Sequence, residues 1–438
     1  MGKSGKNAWI TVLVVFFTAG IFFSACSGKE NGTSGPITGE IRFSWWGNEA
    51  RNNATIEAIR FYESLNPGTR INAEYGPVDG YVTKMQAQIA AGNAPDIFTM
   101  SPEDLPTYVD IGGTTDLTGL IDVSTHNPEI VRANSINGRM YGVNLSLNAN
   151  VIIYNKTLAD ELGITMPEGD YTWEDLIALL VDVYEKSGKK TYGMVDIRMV
   201  RPLDTYIPAW NMTHMGKEPP FPWTNEEMII TGEEVAAYMD FWAKVPEGVL
   251  LSPDETSMLP SQINAPVGTR KTFLEWNYSG TFAMIQSQTN DDLDMIQYPN
   301  NRKGRGEAVS ARPGIVQSIF SGSKNKPLAI DFLQWISSDP EAGKILRTVR
   351  GVLPSSAQVE ALLADPDRLS ENDKKVFAIT NAIYSGNVNP FYPGLPGMAS
   401  VWDDSRLVAV GAEVAFGRIT PRQAGERFDE FVDEVLNW

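Results

Sequence analysis

Cysteine and histidine are scarce in this 438-residue chain: Cys26 stands alone, and His126 and His214 are the only histidines. A single thiol excludes intrachain disulfides and thiolate metal clusters. Two histidines leave little room for a multi-histidine zinc site or a histidine-based triad. Basic charge is also short, with 36 Lys and Arg against 54 Asp and Glu and a net charge of −18. The densest basic stretch, Arg302-Lys303-Gly304-Arg305, is brief and followed by Glu307. Such a chain repels phosphate backbones, which argues against nucleic acid as a partner. Beyond residue 40 there is no repeat at solenoid spacing and no low-complexity block. What is plentiful is aromatic surface: 11 Trp, 15 Tyr and 18 Phe. That implies a large core or a ligand that stacks.

Lys3 and Lys6 precede Ala8–Phe23, an uncharged run of sixteen residues. The run is shorter than the ~20 residues a spanning helix prefers. Small residues Ser24 and Ala25 follow, with Cys26 directly after them. A basic start, a short apolar run and small residues before a cut describe a secretory signal over residues 1–25. The position of Cys26 resembles the bacterial lipoprotein signal, in which the cysteine is lipidated and becomes the mature N-terminus. Phe23 stands where that signal usually has Leu. An uncleaved anchor or ordinary secretion is the plainer alternative. Residues 26–39, rich in Gly, Ser and Thr, read as a flexible tether. Loss of residues 1–25 leaves 34 basic against 54 acidic residues, a net charge of −20.

Ile41, Phe43 and Trp45 alternate with Arg42, Ser44 and Trp46 as a strand. Ala58, Phe61, Tyr62 and Leu65 follow at helical spacing, ending before Pro67-Gly68. Ile71, Ala73 and Tyr75 mark a second strand, Tyr81–Ala91 a helix stopped by Gly92, and Asp96–Met100 a third strand. This order argues for a parallel α/β layer with a ligand crevice beyond the strands' carboxyl ends, where Trp46–Glu49 and Ser101–Asp104 fall. A second α/β stretch begins near Val151, where Thr172 can cap a helix with Leu176, Leu179, Leu180 and Val183 on one face. Arg198–Pro222 reads as loops and short helices, Glu233–Lys244 as a helix and Phe282–Ile285 as a strand. Ala329, Phe332, Leu333 and Ile336 mark another amphipathic helix. A final helix opens on the capping box Thr420-Pro421-Arg422-Gln423 and buries Phe428, Phe431, Val432 and Val435.

Ile41-Arg42-Phe43-Ser44-Trp45-Trp46-Gly47, Phe61-Tyr62-Glu63 and Asn66-Pro67-Gly68 together resemble the start of bacterial extracellular solute-binding proteins. The nearer similarity is to family 1, the sugar-binding group that includes maltose-binding protein. Ala90–Ile97, Asn137–Val143, Ile153–Lys156, Thr172–Leu176, Ser323–Lys326 and Gly351–Pro354 continue it in order. The resemblance implies an α/β, two-lobed periplasmic-binding-protein-like fold of type II. Each lobe would hold a mainly parallel sheet flanked by helices, joined by a hinge that the chain crosses several times. By this pattern residues 40–147 plus 287–314 form one lobe, and 148–286 plus 315–438 the other. It further implies a substrate-binding lipoprotein of the cell envelope, neither enzyme nor cofactor carrier. Such a protein works as a monomer that hands a sugar to the permease subunits of an ABC importer.

Sugars present hydroxyl rims and flat C–H faces, so their sites combine carboxylates or amides with aromatic platforms. Ser400-Val401-Trp402 matches the family's segment whose Trp stacks on sugar. Val401, Val408 and Ala415 recur every seven residues as a core stripe, from which Trp402 is rotated; a rim Trp packing on a helix is the alternative. Trp46, Asn48 and Glu49 stand where the family places polar contacts, although its charged pair is not reproduced, and Trp45 is assigned to the core. Ser101 and Glu103 follow the third strand, where Glu103 and Asp104 either accept sugar hydroxyls or cap the helix near Pro106. Asn148, matching a family carboxylate at the first crossover, serves ligand or hinge, and Asn150 shares its face. Trp210 and Trp276 are divided between cleft and core, and Trp242 is assigned to the core. After Phe282–Ile285 the family's stacking Trp is missing, which points to a smaller or more polar ligand.

Asp291-Asp292-Leu293-Asp294 lacks calcium-loop spacing and reads as a solvated loop, so no metal site is expected there. Two other readings stay open. One is a non-sugar solute, such as a glycerol phosphodiester held by Arg198 and Arg201, or a peptide. The other is a lipid-anchored glycoside hydrolase, whose paired carboxylates the sequence alone does not reveal.

Overall fold

The computed structural model describes residues 37–78, 80–200, 207–210, 214, 228–259, 266–300, 312–384, 391–392, 394, 396 and 405–436. Cys26, Arg201 and Trp402 lie outside them. The described strands are β1 (Gly39–Trp46), β2 (Thr69–Gly76), β3 (Ile97–Met100), β4 (Ser135–Ile136), β5 (Arg139–Met140) and β6 (Val143–Asn144). They continue as β7 (Leu147–Asn148), β8 (Asn150–Asn155), β9 (Leu274–Tyr278), β10 (Leu293–Ile296), β11 (Arg312–Pro313) and β12 (Val316–Ile319).

A five-stranded sheet has the order β2-β1-β3-β12-β6. β1 runs parallel to both β2 and β3, as the alternation of helices and strands predicts. Its crossover helices are Glu49–Leu65 and Tyr81–Ala90, the second followed by Gly92 at φ +71. β12 closes the sheet antiparallel to β3 and β6. The inner face carries Ile41, Phe43 and Trp45, packed on Ala58, Ile59 and Tyr62 and on Phe332, Leu333 and Ile336 of helix Lys326–Ser338. Trp45 is fully buried, its ring 5.2 Å from Tyr75 and its indole N–H donating to Asn52 Oδ1 at 2.9 Å. Leu65, expected on the buried helix face, is 56% exposed, because the helix ends there and its inward stripe is Ala54, Thr55, Ala58, Ile59 and Tyr62.

The second sheet, β10-β8-β9, is antiparallel throughout, not mainly parallel as expected. β8 is buried on both faces, and its period-2 alternation feeds two cores. Val151 and Ile153 join the first apolar cluster, and Ile152 and Tyr154 the second, with Trp173, Leu176, Trp242 and Trp276. The pairings also differ from the crossovers that the family pattern implies. β10 sits in the second sheet beside β8, whereas residues 287–314 were expected in the first lobe. β12 sits in the first sheet beside β3, whereas residues from 315 were expected in the second. Strand partners distant in sequence decide this, and local pattern does not report them. Phe282–Ile285 is not a strand but part of helix Phe282–Gln286; a four-residue apolar run does not distinguish the two.

Helix ends follow the sequence closely. Thr172 and Asp175 form a reciprocal capping box on helix Trp173–Lys186. Thr420 and Gln423 do the same for helix Pro421–Leu436. In helix Ser405–Ala415 the buried stripe is Leu407, Gly411 and Val414, while Val408 and Ala415 are only partly buried. The seven-residue stripe used to orient Trp402 is therefore not the core stripe, since helical burial follows spacings of three and four. Among the described residues no helix is long and apolar enough to cross a membrane.

Candidate functional site

The candidate site begins at the terminus of β1. There Gly47 breaks the strand, and Asn48 takes up the N-cap of helix Glu49–Leu65, its Oδ1 accepting the Arg51 N–H at 2.9 Å. Asn48 therefore has a structural task, and Glu49 projects exposed from the first turn. Trp46 does not form an open platform. It is 8% exposed and lies edge-on to Tyr81, with ring centroids 4.9 Å apart. Tyr81 in turn ties two strands, its hydroxyl donating to the Ser44 carbonyl and accepting from the Thr99 N–H at 3.0 and 3.3 Å. Sequence alternation left Trp46 open, and a third cluster containing Met85, Phe98 and Val316 covers it.

After β3, Ser101 is half-buried ahead of the short turn Pro102–Asp104, and Glu103 is 1% exposed. Helix Leu105–Asp110 begins without a side-chain cap bond from Asp104, so the capping alternative does not describe this loop.

The other side is built on β7, β8 and the turn that follows β9. Asn148 Oδ1 accepts the Gly280 N–H at 3.0 Å, and the Asn148 carbonyl accepts the Tyr384 hydroxyl at 3.0 Å. Beside it, Leu147 and Val352 exchange backbone hydrogen bonds at 2.6 and 2.9 Å. Glycine is required at two points here. A Cβ on Gly280 would lie 2.6 Å from the Arg350 carbonyl, and Gly351 adopts φ +119 against the Leu147 carbonyl. Asn148 thus joins three chain segments, the structural role that competed with ligand contact. Asn150, two residues on, has a buried Oδ1 with no partner among the described residues. A buried amide oxygen left open is costly, and it is a natural acceptor for a ligand hydroxyl.

Trp210 and Trp276 belong to the second core. Trp210 is 2% exposed, stacked on His214 at 4.8 Å and edge-on to Tyr238 at 5.9 Å. Trp276 lies within β9, stacked on Trp173 at 5.4 Å and edge-on to Tyr298 at 4.4 Å. Its indole N–H points at Met194 Sδ, 3.5 Å away. Trp242, assigned to the core, is 1% exposed.

Three charged groups in this region escape sequence reading. Arg51 and Arg350 are packed together near Asn48 and Gly280; burial lowers their pKa to about 10 and about 9, and for Arg350 the neighbouring Arg51 adds to the effect. Glu275 on β9 is 8% exposed, and burial pushes its pKa up to about 7 against hydrogen bonds from Asn277 and the Val267 main chain. No motif marks the arginines, because their setting is created by segments some 300 positions apart in the chain, as between Thr55 and Arg350. Arg198, by contrast, is already neutralised by Asp196 at 2.6 and 2.9 Å.

Comparison with known proteins places the fold. Solved structures align over nearly their whole length. A periplasmic solute binding protein of Pectobacterium atrosepticum matches at TM-score 0.78 and 20% identity, covering 91% of this chain and 98% of that one. An ABC substrate-binding protein of Listeria monocytogenes, solved in complex with cycloalternan, matches at TM-score 0.75 and 23% identity, covering 91% and 99%. These likenesses establish the type II solute-binding-protein fold. Among curated relatives, the multiple sugar-binding protein of Streptococcus mutans is 23% identical over 180 residues, 40% of this chain and 41% of that protein. This chain thus spans about two fifths of that relative's length. The diacetylchitobiose binding protein DasA of Streptomyces coelicolor is 22% identical over 338 residues, 74% and 73% of the two chains. The profile described as bacterial extracellular solute-binding protein matches residues 57–378, and the chain belongs to that family.

Proposed function

We propose that this protein captures a carbohydrate outside the cytoplasm and delivers it to the permease subunits of an ABC importer. The observation that carries the reading is the family match over residues 57–378. It is supported by relatives named for oligosaccharides, among them a galactooligosaccharide-binding protein of Bacillus subtilis and an arabinooligosaccharide-binding protein of Halalkalibacterium halodurans. The ligand site proposed here runs from Asn48 and Glu49 past Ser101 and Glu103 to Asn148 and Asn150, with Trp402 as stacking platform. Trp46, Trp210 and Trp276 support it from the core instead. Cys26 is the proposed lipid attachment, which holds a monomer at the membrane by an acyl anchor and the 26–39 tether. Ligand shifts the balance between open and closed forms only by its differential affinity for the closed one.

The protein acts by binding and has no catalytic step of its own. Isothermal titration calorimetry against a panel of neutral and acidic mono- and oligosaccharides tests this. A working affinity near micromolar, about −8 kcal/mol, is expected for one member. Binding of a peptide or phosphodiester with no response to any sugar sinks the carbohydrate reading. Release of reducing sugar by the purified protein turns it into the lipid-anchored hydrolase.

A further inference from the structure

Beside the β1 terminus Arg350 is buried and Arg51 half-buried, and neither meets a counter-charge among the described residues. Arg350 is 3% exposed, and its Nη2 donates to Thr55 Oγ1 at 2.5 Å. Its Nε and Nη1 are buried with no hydrogen-bond partner among the described residues. Arg51 Nε donates to the Val349 carbonyl at 3.1 Å, and Thr55 Oγ1 donates back to the Arg51 carbonyl at 2.7 Å. Among the described residues the hydrogen bonds of the two guanidiniums thus end on a hydroxyl and a main-chain carbonyl, and neither forms an ion pair. Other partly buried arginines are treated differently: Arg198 lies on Asp196, and Arg270 bridges Asp291 and Glu161.

An isolated buried charge costs several kcal/mol even after relaxation, and a like charge beside it adds to the cost. Arginine does not escape by losing its proton near neutrality. A fold that maintains two such cations, with open N–H groups on one of them, has a positive field waiting for an anion. The guanidinium fork matches a carboxylate bidentately. The placement fits the candidate site, since Asn48 caps the helix that carries Arg51 and the Arg350 carbonyl abuts the Asn148–Gly280 contact. With a net charge of −18 the protein repels anions at a distance, so retaining an acidic ligand needs a local cation pair.

We propose that Arg51 and Arg350 form an anion seat and that the ligand is an acidic carbohydrate, a uronate whose carboxylate docks on the pair. This rests on the carbohydrate reading above and narrows it. The full-length protein in mild detergent is titrated with a galacturonate dimer and with the neutral galactose dimer, for wild type, Arg350→Met and Arg51→Met. Thermal melting of each is followed in sulfate and in chloride at matched ionic strength. The expected result is at least about tenfold tighter binding of the acidic dimer, a preference that both variants lose. Arg350→Met should melt no lower than wild type without ligand, because it removes an unpaired buried charge. Equal binding of the two dimers overturns the anion seat and leaves the carbohydrate reading standing. So does an Arg350→Met protein that melts lower yet keeps the preference. If neither dimer binds while sulfate stabilises wild type but not Arg350→Met, the anion seat stands and the uronate assignment falls, and the carbohydrate reading rests on the wider sugar panel. If sulfate is also without effect, the anion seat and the uronate assignment both fall.

Discussion

The main-chain N–H of Gly280 donates to Asn148 Oδ1 at 3.0 Å, and any side chain on Gly280 would press on the Arg350 carbonyl. One contact thus joins the end of β7, the turn after β9 and the loop that carries the buried arginine. Asn148→Ala leaves a buried donor unpaired and should cost about 1–3 kcal/mol of stability. Asn148→Asp keeps the acceptor and should cost less. Gly280→Ala forces a Cβ against backbone and should cost roughly 2–3 kcal/mol, more than a surface alanine would. Urea unfolding of the three variants checks the order; a neutral Gly280→Ala would contradict the packing.

Trp276 and Trp402 should separate cleanly. Trp276 is stacked on Trp173 with an interplanar angle of 11° inside the second core. Trp276→Ala should therefore lose about 3–5 kcal/mol of stability, whereas the ligand affinity of the molecules still folded changes little. Trp402→Ala should do the reverse, with a small change in melting temperature and about a tenfold loss of sugar affinity. Calorimetry paired with thermal melting reads both. A loss of affinity in Trp276→Phe, which preserves an aromatic ring, would return Trp276 to the ligand site.

The helix start at Thr172 is legible from the threonine and the apolar face that follows it, and its energetics are equally local. Thr172 Oγ1 accepts the Asp175 N–H at 3.1 Å and Asp175 Oδ2 accepts the Thr172 N–H at 2.8 Å. Thr172→Ala should cost about 1 kcal/mol and Thr172→Ser nearly nothing. Thermal melting distinguishes the two, and equal losses would mean that the threonine acts by packing.

Such local features were read correctly because their causes are near in sequence. The β1–β3 layer, the Gly92 stop, the Thr172 cap, the capping box at Thr420 and the burial of Trp45 and Trp242 all follow from spacing or turn chemistry. Distant causes were not read. Whether Trp46 faces a crevice depends on Tyr81 and on β12, and whether Trp276 does depends on Trp173. The crossing points failed for the same reason, since β10 and β12 take their sheets from β8 and β3. The arginine pair was invisible, because no residue near Arg350 in sequence reveals that Thr55 and Arg51 lie beside it.

Glu275 gives the protein a pH dependence whose sign can be worked out. Its carboxyl is buried on β9, where Asn277 Nδ2 donates to Oε1 at 3.0 Å, and burial raises its pKa from 4.5 to about 7. Unfolding restores the lower value. Between the two, the folded protein holds a proton that the unfolded chain has released, so stability falls as pH rises through that window. The contribution is fully present below about pH 4.5 and gone above about pH 7. At about 1.4 kcal/mol per pH unit the whole window is worth about 3 kcal/mol. Glu275→Gln fixes the side chain neutral and removes the dependence. It should match wild type near pH 4.5 and exceed it by about 3 kcal/mol at pH 8. Urea unfolding of both proteins at these two pH values isolates the difference from every other carboxylate. If the gap between them is the same at both, the proton is not held by Glu275.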